Sequence, residues 1–290
     1  MLFKLYRDVK VFYQDICDVL IRHEAQNLIM LGNVIIGNDG WDKIGWRDPA
    51  NWFMATVSDN SGIKLTALMT PPHNLTLYAT DNQYDDEVLE CLIDGLSKTD
   101  FAVGGVMTEN KLAEDFARVY AASNGIKFNV NMRQRIYELV KVNPNISSVG
   151  RLRPARESDM SFLPYWIESF LSDETGDTGS LSLKNDAEYY RHHILSKKIF
   201  ILEDNDTPVS MAQIDRELKT VCGVSGVYTP PYFRAKGYAT SCVATVSRLV
   251  LDRGFAKCVL YTDLANPTSN SIYQKIGYNP ICDSLDIKFI

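Results

Sequence analysis

A chain of 290 residues with 46% hydrophobic composition can bury one large core or two ordinary ones, and its length favours two domains. A formal net charge of −6 argues against nucleic acid as the main partner and suits a cationic substrate better. Charge or glycine breaks every apolar stretch well short of a membrane span, and there is no signal-like block, so a cytoplasmic chain with no membrane partner is expected.

In the first half, residues 52–57 and 63–70 flank turn residues like a hairpin, 75–80 read as a strand, 87–96 as a helix and 101–107 as a strand. A helix over 112–122 and an extended segment over 127–140 follow. Residues 142–148 have the turn-rich composition of a domain boundary, which gives domains 1–141 and 149–290. The second half offers a strand at 149–154, helices at 158–171 and 185–195, and a hairpin of 199–203 with 209–214. A strand at 222–228, a helix at 239–251, a strand at 257–262, a helix from Thr268 and a strand at 285–289 complete an α/β chain with a mixed sheet.

The strand at 222–228 stops at Pro230 and Pro231, and the 239–251 helix begins almost at once after Arg234, Ala235, Lys236 and Gly237. A helix start carries unpaired N–H groups and the positive end of the macrodipole, so an anion docked at Tyr238, Ala239 and Thr240 would satisfy donors that otherwise need caps or water. Gly237 has no Cβ to block close approach, and Arg234 and Lys236 supply charge. An ordinary loop with solvated basic residues has the same local pattern. Further on, Asn266-Pro267 reads as a helix entry, with asparagine as cap and proline in the first turn. Asn270 and Tyr273 follow, with Ile272 and Ile276 at helical spacing nearby.

The pattern R-x-x-G-x-A at 234–239, followed in order by Asn266, Asn270, Tyr273 and Gly277-Tyr278, resembles the GCN5-related N-acetyltransferase (GNAT) family over residues 149–290. The resemblance implies a GNAT fold and acetyl-CoA as cosubstrate, with no metal. It implies that the turn of Arg234, Ala235, Lys236, Gly237, Tyr238, Ala239 and Thr240 holds the pyrophosphate, and that the preceding Val227, Tyr228 and Thr229 meet the pantetheine arm. It also implies cofactor contacts at Asn266 and Asn270, and Tyr273 within reach of the sulfur as general acid. A phenol near pKa 10 gives its proton to a thiolate near 8.5 at a cost of about 2 kcal/mol, so the role is chemically reasonable, although Tyr273 also fits as a packing ring.

This strand departs from a common family pattern, because Val224, Ser225, Gly226 and Val227 supply no carboxylate as general base. Asp215, Asp263 or water alone remain as alternatives. The family's acceptor wall would map onto residues 172–180, where Asp173, Glu174 and Asp177 could attract an ammonium group or be simply solvated, with Tyr165 and Trp166 in the cleft or the core. Cys17, Cys91, Cys222, Cys242, Cys258 and Cys282 form no C-x-x-C pair, so they are expected reduced and buried; His192 and His193 diverge on a helix, and no metal site is expected.

The first half repeats the element order, with Tyr78 opposite Tyr228 in a shifted copy, but it has Asp81, Asp85, Asp86 and Glu87 where a pyrophosphate would sit. Like charges repel there, so a duplicated fold with a degenerate first copy is expected, an unrelated α/β domain being the alternative. The functional expectation is an N-acetyltransferase acting on a small-molecule primary amine, of undetermined oligomeric state. The alternatives are a non-catalytic acyl-CoA-binding module, or a transferase using a larger acyl donor or a protein acceptor.

Overall fold

The structure is a computed structural model that describes residues 1–39, 48–175 and 191–290. They divide into two compact units, Met1–Ile136 with Ile281–Ile290, and Tyr137–Pro280. No described helix is long and apolar enough to cross a membrane.

In the first unit, β1 (Leu2–Tyr6), β2 (Phe53–Asp59), β3 (Gly62–Met69) and β4 (Leu75–Ala79) run antiparallel to their neighbours. The next strand, β5 (Gly105–Glu109), is parallel to β4, and residues 281–289 of β12 (Asn279–Phe289) close antiparallel against it. The period of two sorts side chains to opposite faces. Phe53, Ala55, Val57, Leu65, Ala67, Leu77, Leu285 and Ile287 form one core with α3 (Asp86–Ser97) and α4 (Asn110–Asn124). The other face meets α1 (Val9–Leu20), whose Asp15 pairs with Lys4 and whose Phe12 ring lies 5.0 Å from that of Tyr6. Asp8 caps α1, and its buried residues Val9, Phe12, Ile16 and Leu20 follow helical spacing. Neither α1, α2 (Leu28–Asp39) nor β1 was anticipated from the sequence, and the strand expected at 101–107 begins four residues later, at Gly105.

The second unit repeats the arrangement. From one edge, β7 (Arg151–Pro154), β8 (Ile199–Asp204), β9 (Thr207–Glu217) and β10 (Val221–Tyr228) are antiparallel neighbours, and β11 (Lys257–Asp263) is parallel to β10. Residues 137–139 of β6 (Phe128–Leu139) lie beyond β11 in strand order, and Lys257 Nζ reaches Glu138 at 2.8 Å. One face packs Phe200, Ala212, Ile214, Val224 and Leu260 on α6 (Tyr238–Asp252) and α7 (Pro267–Ile276). The other packs Ile199, Ile201, Met211 and Tyr228 on α5 (Leu163–Thr175). Of the helix expected at 185–195, residues 191–195 are described and helical. Within this unit a buried guanidinium ties β7 to β8, as Arg153 donates to Glu203 at 2.6 Å and in bidentate fashion to Asp159 at 2.6 and 2.9 Å.

Candidate functional site

The site is built where β10 leaves its neighbours. Pairing with β11 runs only over Val221–Lys257, Cys222–Cys258 and Gly223–Val259, after which the two strands part. On its other edge β10 takes an extra residue between Ser225 and Tyr228, which oppose Gln213 and Met211, and Gly226 adopts φ 56°. This is a β-bulge, and together with the parting it leaves main-chain polar groups of β10 to be satisfied by something other than the sheet ladder. The end of the strand is fixed from β9: Ser210 Oγ donates to the Tyr228 carbonyl at 3.0 Å and lies 2.9 Å from Thr229 Oγ1.

The loop that follows has an unusual backbone. Ala235 has φ 62° and Gly237 φ 83°, and Gly237 is the N-cap of α6 without any side-chain cap. The left-handed conformation is what Gly237 is needed for; a Cβ there would meet nothing within 4 Å. The first intrahelical bond comes from Ser241 N–H to Gly237 O at 3.0 Å. Among the described residues no acceptor meets the N–H groups of residues 235–240. Such a run of donors without acceptors at a helix start is an arrangement that can receive an anion. Arg234 braces it from below: its Nε donates to Thr229 O at 2.9 Å and its guanidinium lies 5.7 Å from the Tyr228 ring. Lys236 stays exposed, 4.8 Å over the Tyr232 ring, and Tyr238 anchors the first turn by donating to Asp204. The Asp204 carboxylate, by accepting that bond, pushes the Tyr238 phenol above its ordinary pKa.

Past β11 the turn into α7 is locked by side chains. Asn266 caps α7 by accepting from Ser269 N–H at 3.0 Å, with Pro267 in the first turn. Asn270 Nδ2 donates to the carbonyls of Asp263 at 2.8 Å and Asn266 at 2.7 Å, while its Oδ1 accepts from Tyr137 at 3.1 Å. Both ends of that amide are therefore engaged within the protein, and Asn270 holds the turn that carries Tyr273. The Tyr273 ring is 8% exposed and packs near Tyr137 and Tyr278, with centroids 6.4 and 6.0 Å away. Tyr278 is fully enclosed, and desolvation drives its phenol well above the ordinary range, which leaves it a neutral partner 2.8 Å from Ser247.

The alternatives for a general base are occupied. Asp263 Oδ1 accepts from Ala265 N–H at 2.8 Å, and Asp215 pairs with Arg216. Burial raises the thiols of Cys242 and Cys258 to about 12 and that of Cys222 further, so these buried cysteines are poor nucleophiles. Asp173, Glu174 and Asp177 lie outside the described side chains. Tyr165 is 67% exposed, whereas Trp166 packs 4.6 Å from Phe162 and 6.1 Å from Tyr228. Among the described residues no group of three or more His, Cys, Asp or Glu is placed to hold a metal.

Ser210 and Tyr137 were not anticipated, whereas Trp166 had been expected in the cleft or the core. Sheet register brings Ser210 and Tyr137 to the site, and no local pattern announces that. The bulge did leave a signal, a glycine inside a strand.

The first unit has a helix start in the corresponding place, after its fourth strand. There Asp85 caps α3 by accepting from Val88 N–H at 3.1 Å, and Asp86 and Glu87 fill the first turn. The chain's own carboxylates take the place an external anion would need.

With this geometry in view, a model of the acetyltransferase (GNAT) family matches residues 163–278, from the start of α5 through Tyr278. This part of the chain is similar to a GNAT-family acetyltransferase domain, a family whose general chemistry is acyl transfer. A search of curated proteins found no match. Among solved structures, a GNAT-family acetyltransferase from Colwellia psychrerythraea is similar at TM-score 0.60 and 12% identity, with 100% of this chain and 99% of that one covered. A Drosophila protein reaches TM-score 0.67 at 12% identity, covering 99% and 98%. A GCN5-related N-acetyltransferase from Sphaerobacter thermophilus reaches 0.63 at 11%, covering 99% and 95%. At these identities what is shared is the fold, and it extends over the whole chain, as a duplicated GNAT arrangement would.

Proposed function

We propose that the protein is a cytoplasmic, acetyl-CoA-dependent N-acetyltransferase acting on a small-molecule primary amine. The observation that carries this reading is the run of open N–H groups at 235–240 beside the parted strands β10 and β11. The diphosphate of the donor would dock on those amides, and its pantetheine arm would lie along Val227, Tyr228 and Thr229. Since the carbonyls of Tyr228 and Thr229 already accept from Ser210 and Arg234, these two residues would offer their N–H groups.

The neutral amine attacks the thioester carbonyl carbon directly, the C–S bond breaks, and the departing thiolate takes the phenolic proton of Tyr273. The proton released by the amine leaves through water, because the nearby carboxylates Asp215 and Asp263 have other partners. Tyr273 suits the task because its helix is held by the Asn270–Tyr137 lock while its backbone belongs to a different element from the phosphate loop. We read the first unit as a copy of the fold without a donor site, on the strength of its matching strand order and its carboxylate-capped α3.

Titration calorimetry with acetyl-CoA, followed by thiol release measured with a panel of small amines, tests the reading. Binding with amine-dependent thiol release supports it. Binding without turnover on any amine leaves an acyl-CoA-binding module, and no binding removes the phosphate assignment.

A further inference from the structure

Tyr137, on β6, is the first residue of the second unit, and its side chain is fully buried. One helix holds its hydroxyl twice. The oxygen lies 3.1 Å from Asn270 Oδ1 and 3.1 Å from Gln274 Nε2, two residues of α7 that stand four apart and so share a helix face. Tyr273 lies between them in the chain, with its ring 6.4 Å from that of Tyr137.

The direction of each bond is fixed. The carbonyls of Asp263 and Asn266 can only accept, so the Asn270 atom 2.8 and 2.7 Å from them is its NH2 group, and both hydrogens of that group are used there. Its Oδ1 is therefore the atom that faces Tyr137, and it commits the phenolic proton of Tyr137 to Asn270. The phenol oxygen is left to accept, and Gln274 Nε2 donates to it. The bonds run one way, from Gln274 through Tyr137 and Asn270 to two main-chain carbonyls, one at the end of β11 and one at the cap of α7. A single phenol thus sets the rotation of α7 about its axis. Packing alone would not call for a hydroxyl here, since Tyr137 shares its core with Leu139, Ile276 and Tyr278, and a phenol oxygen buried there costs free energy unless it is paired.

We propose that Tyr137 is a positioning residue for proton delivery, its hydroxyl setting the angle at which α7 presents the Tyr273 phenol to the departing thiolate. The inference rests on the reading of Tyr273 as general acid and adds to that step a second tyrosine that never touches the substrate. A misplacement of about 1 Å costs on the order of 100-fold in rate. The groups assigned to the diphosphate and pantetheine belong to β10 and the start of α6, elements to which the Tyr137 hydroxyl makes no bond among the described residues. Loss of the hydroxyl should therefore fall on kcat and spare the binding of acetyl-CoA.

The test is a double-mutant cycle on the full chain, with thiol release from acetyl-CoA measured against an amine that the wild type accepts. Tyr137→Phe keeps the ring and removes only the hydroxyl; it should lower kcat about 10- to 100-fold, with KM for acetyl-CoA within about twofold of wild type. In the Tyr273→Phe background the same change should cost less than about twofold, because the proton it helps to place is gone, whereas a merely structural loss would recur there in full. Gln274 is exposed, so Gln274→Met leaves the core intact and should lower kcat about threefold, again only where Tyr273 is present. It replaces Tyr137→Phe should that variant fail to reach the wild-type circular dichroism spectrum. Turnover lowered by Tyr273→Phe but unaltered by Tyr137→Phe, or a loss repeated in full in the Tyr273→Phe background, overturns the role of Tyr137 and leaves Tyr273 as general acid. Unchanged turnover in Tyr273→Phe, or no thiol release with any amine, removes the general acid itself and this inference with it.

Discussion

The two units lay out their strands in one order, four antiparallel neighbours, a parallel fifth and a closing strand, and then finish the fourth strand in opposite ways. In the first, Thr108 Oγ1 donates across the parallel pair to Leu77 O at 2.7 Å, and Asp85 caps the following helix. In the second, β10 bulges at Gly226, the parallel pair parts after Gly223–Val259, and the following helix starts on a left-handed glycine with its amides open. A helix start is thus made either self-sufficient or receptive by a few residues, and the sheet beneath need not change. The lesson is energetic: a carboxylate cap satisfies an orphan donor for about 1 kcal/mol and removes the helix start from use as an anion site.

The contrast can be broken most forcefully at Gly237. Gly237→Glu places a carboxylate at the open amides and an L side chain at φ 83°, so acetyl-CoA binding should be lost in calorimetry; wild-type affinity would refute the phosphate assignment. Tyr273→Phe should lower turnover by about 10- to 10⁴-fold with CoA affinity nearly intact, and unchanged turnover across pH would remove Tyr273 from the chemistry.

Stability provides the next test, because the ion pairs of the two units differ in burial. Arg153→Ala strands Asp159 and Glu203 and should cost about 3–5 kcal/mol in denaturant unfolding, whereas Lys4→Ala, breaking an exposed pair, should leave the unfolding midpoint nearly unchanged. Burial alone would raise the carboxyls of Asp159 and Glu203, but Arg153, together with Arg156 at Asp159 and Arg151 at Glu203, outweighs it and holds both below their ordinary values. Groups depressed in the folded state stabilise it above their unfolded pKa values, about 3.9 and 4.3, and that stabilisation fades as pH falls through the folded values. Thermal midpoints should therefore drop below about pH 4, and less steeply in Arg153→Ala. The smallest effect is expected from Asp85→Ala, about 1 kcal/mol of stability with acetyl-CoA binding unaltered, which tests whether α3 is capped from within.

Much of this was legible along the chain. Strands β8 to β11 and helix α6 fall close to where alternation and helical spacing put them, because each is a contiguous pattern with turn residues at its ends. Helix α1 was not anticipated, although Val9, Phe12, Ile16 and Leu20 follow helical spacing after Asp8. Helix α2 was not, since Gly32, Asn33 and Gly37 interrupt it and its buried residues surround the axis. Of the candidate site, the left-handed glycine turn before α6 was local and therefore visible. Asn270 was expected to meet the cofactor, and it is the Tyr137 hydroxyl, 133 positions away in the chain, that gives its amide a partner inside the protein.

By itself the sequence determined the turn into α6, because Gly237 and the helix start depend only on the backbone angles of adjacent residues. It also determined the carboxylates that fill the equivalent turn after β4. Only the tertiary structure decided that residues 281–290 complete the sheet of the first unit, that β10 and β11 part after three pairs, and that Ser210 and Tyr137 support the site. Strand partners and side-chain locks are choices among distant segments, settled by which register buries the apolar face and satisfies the backbone, and no window of neighbouring residues contains that information.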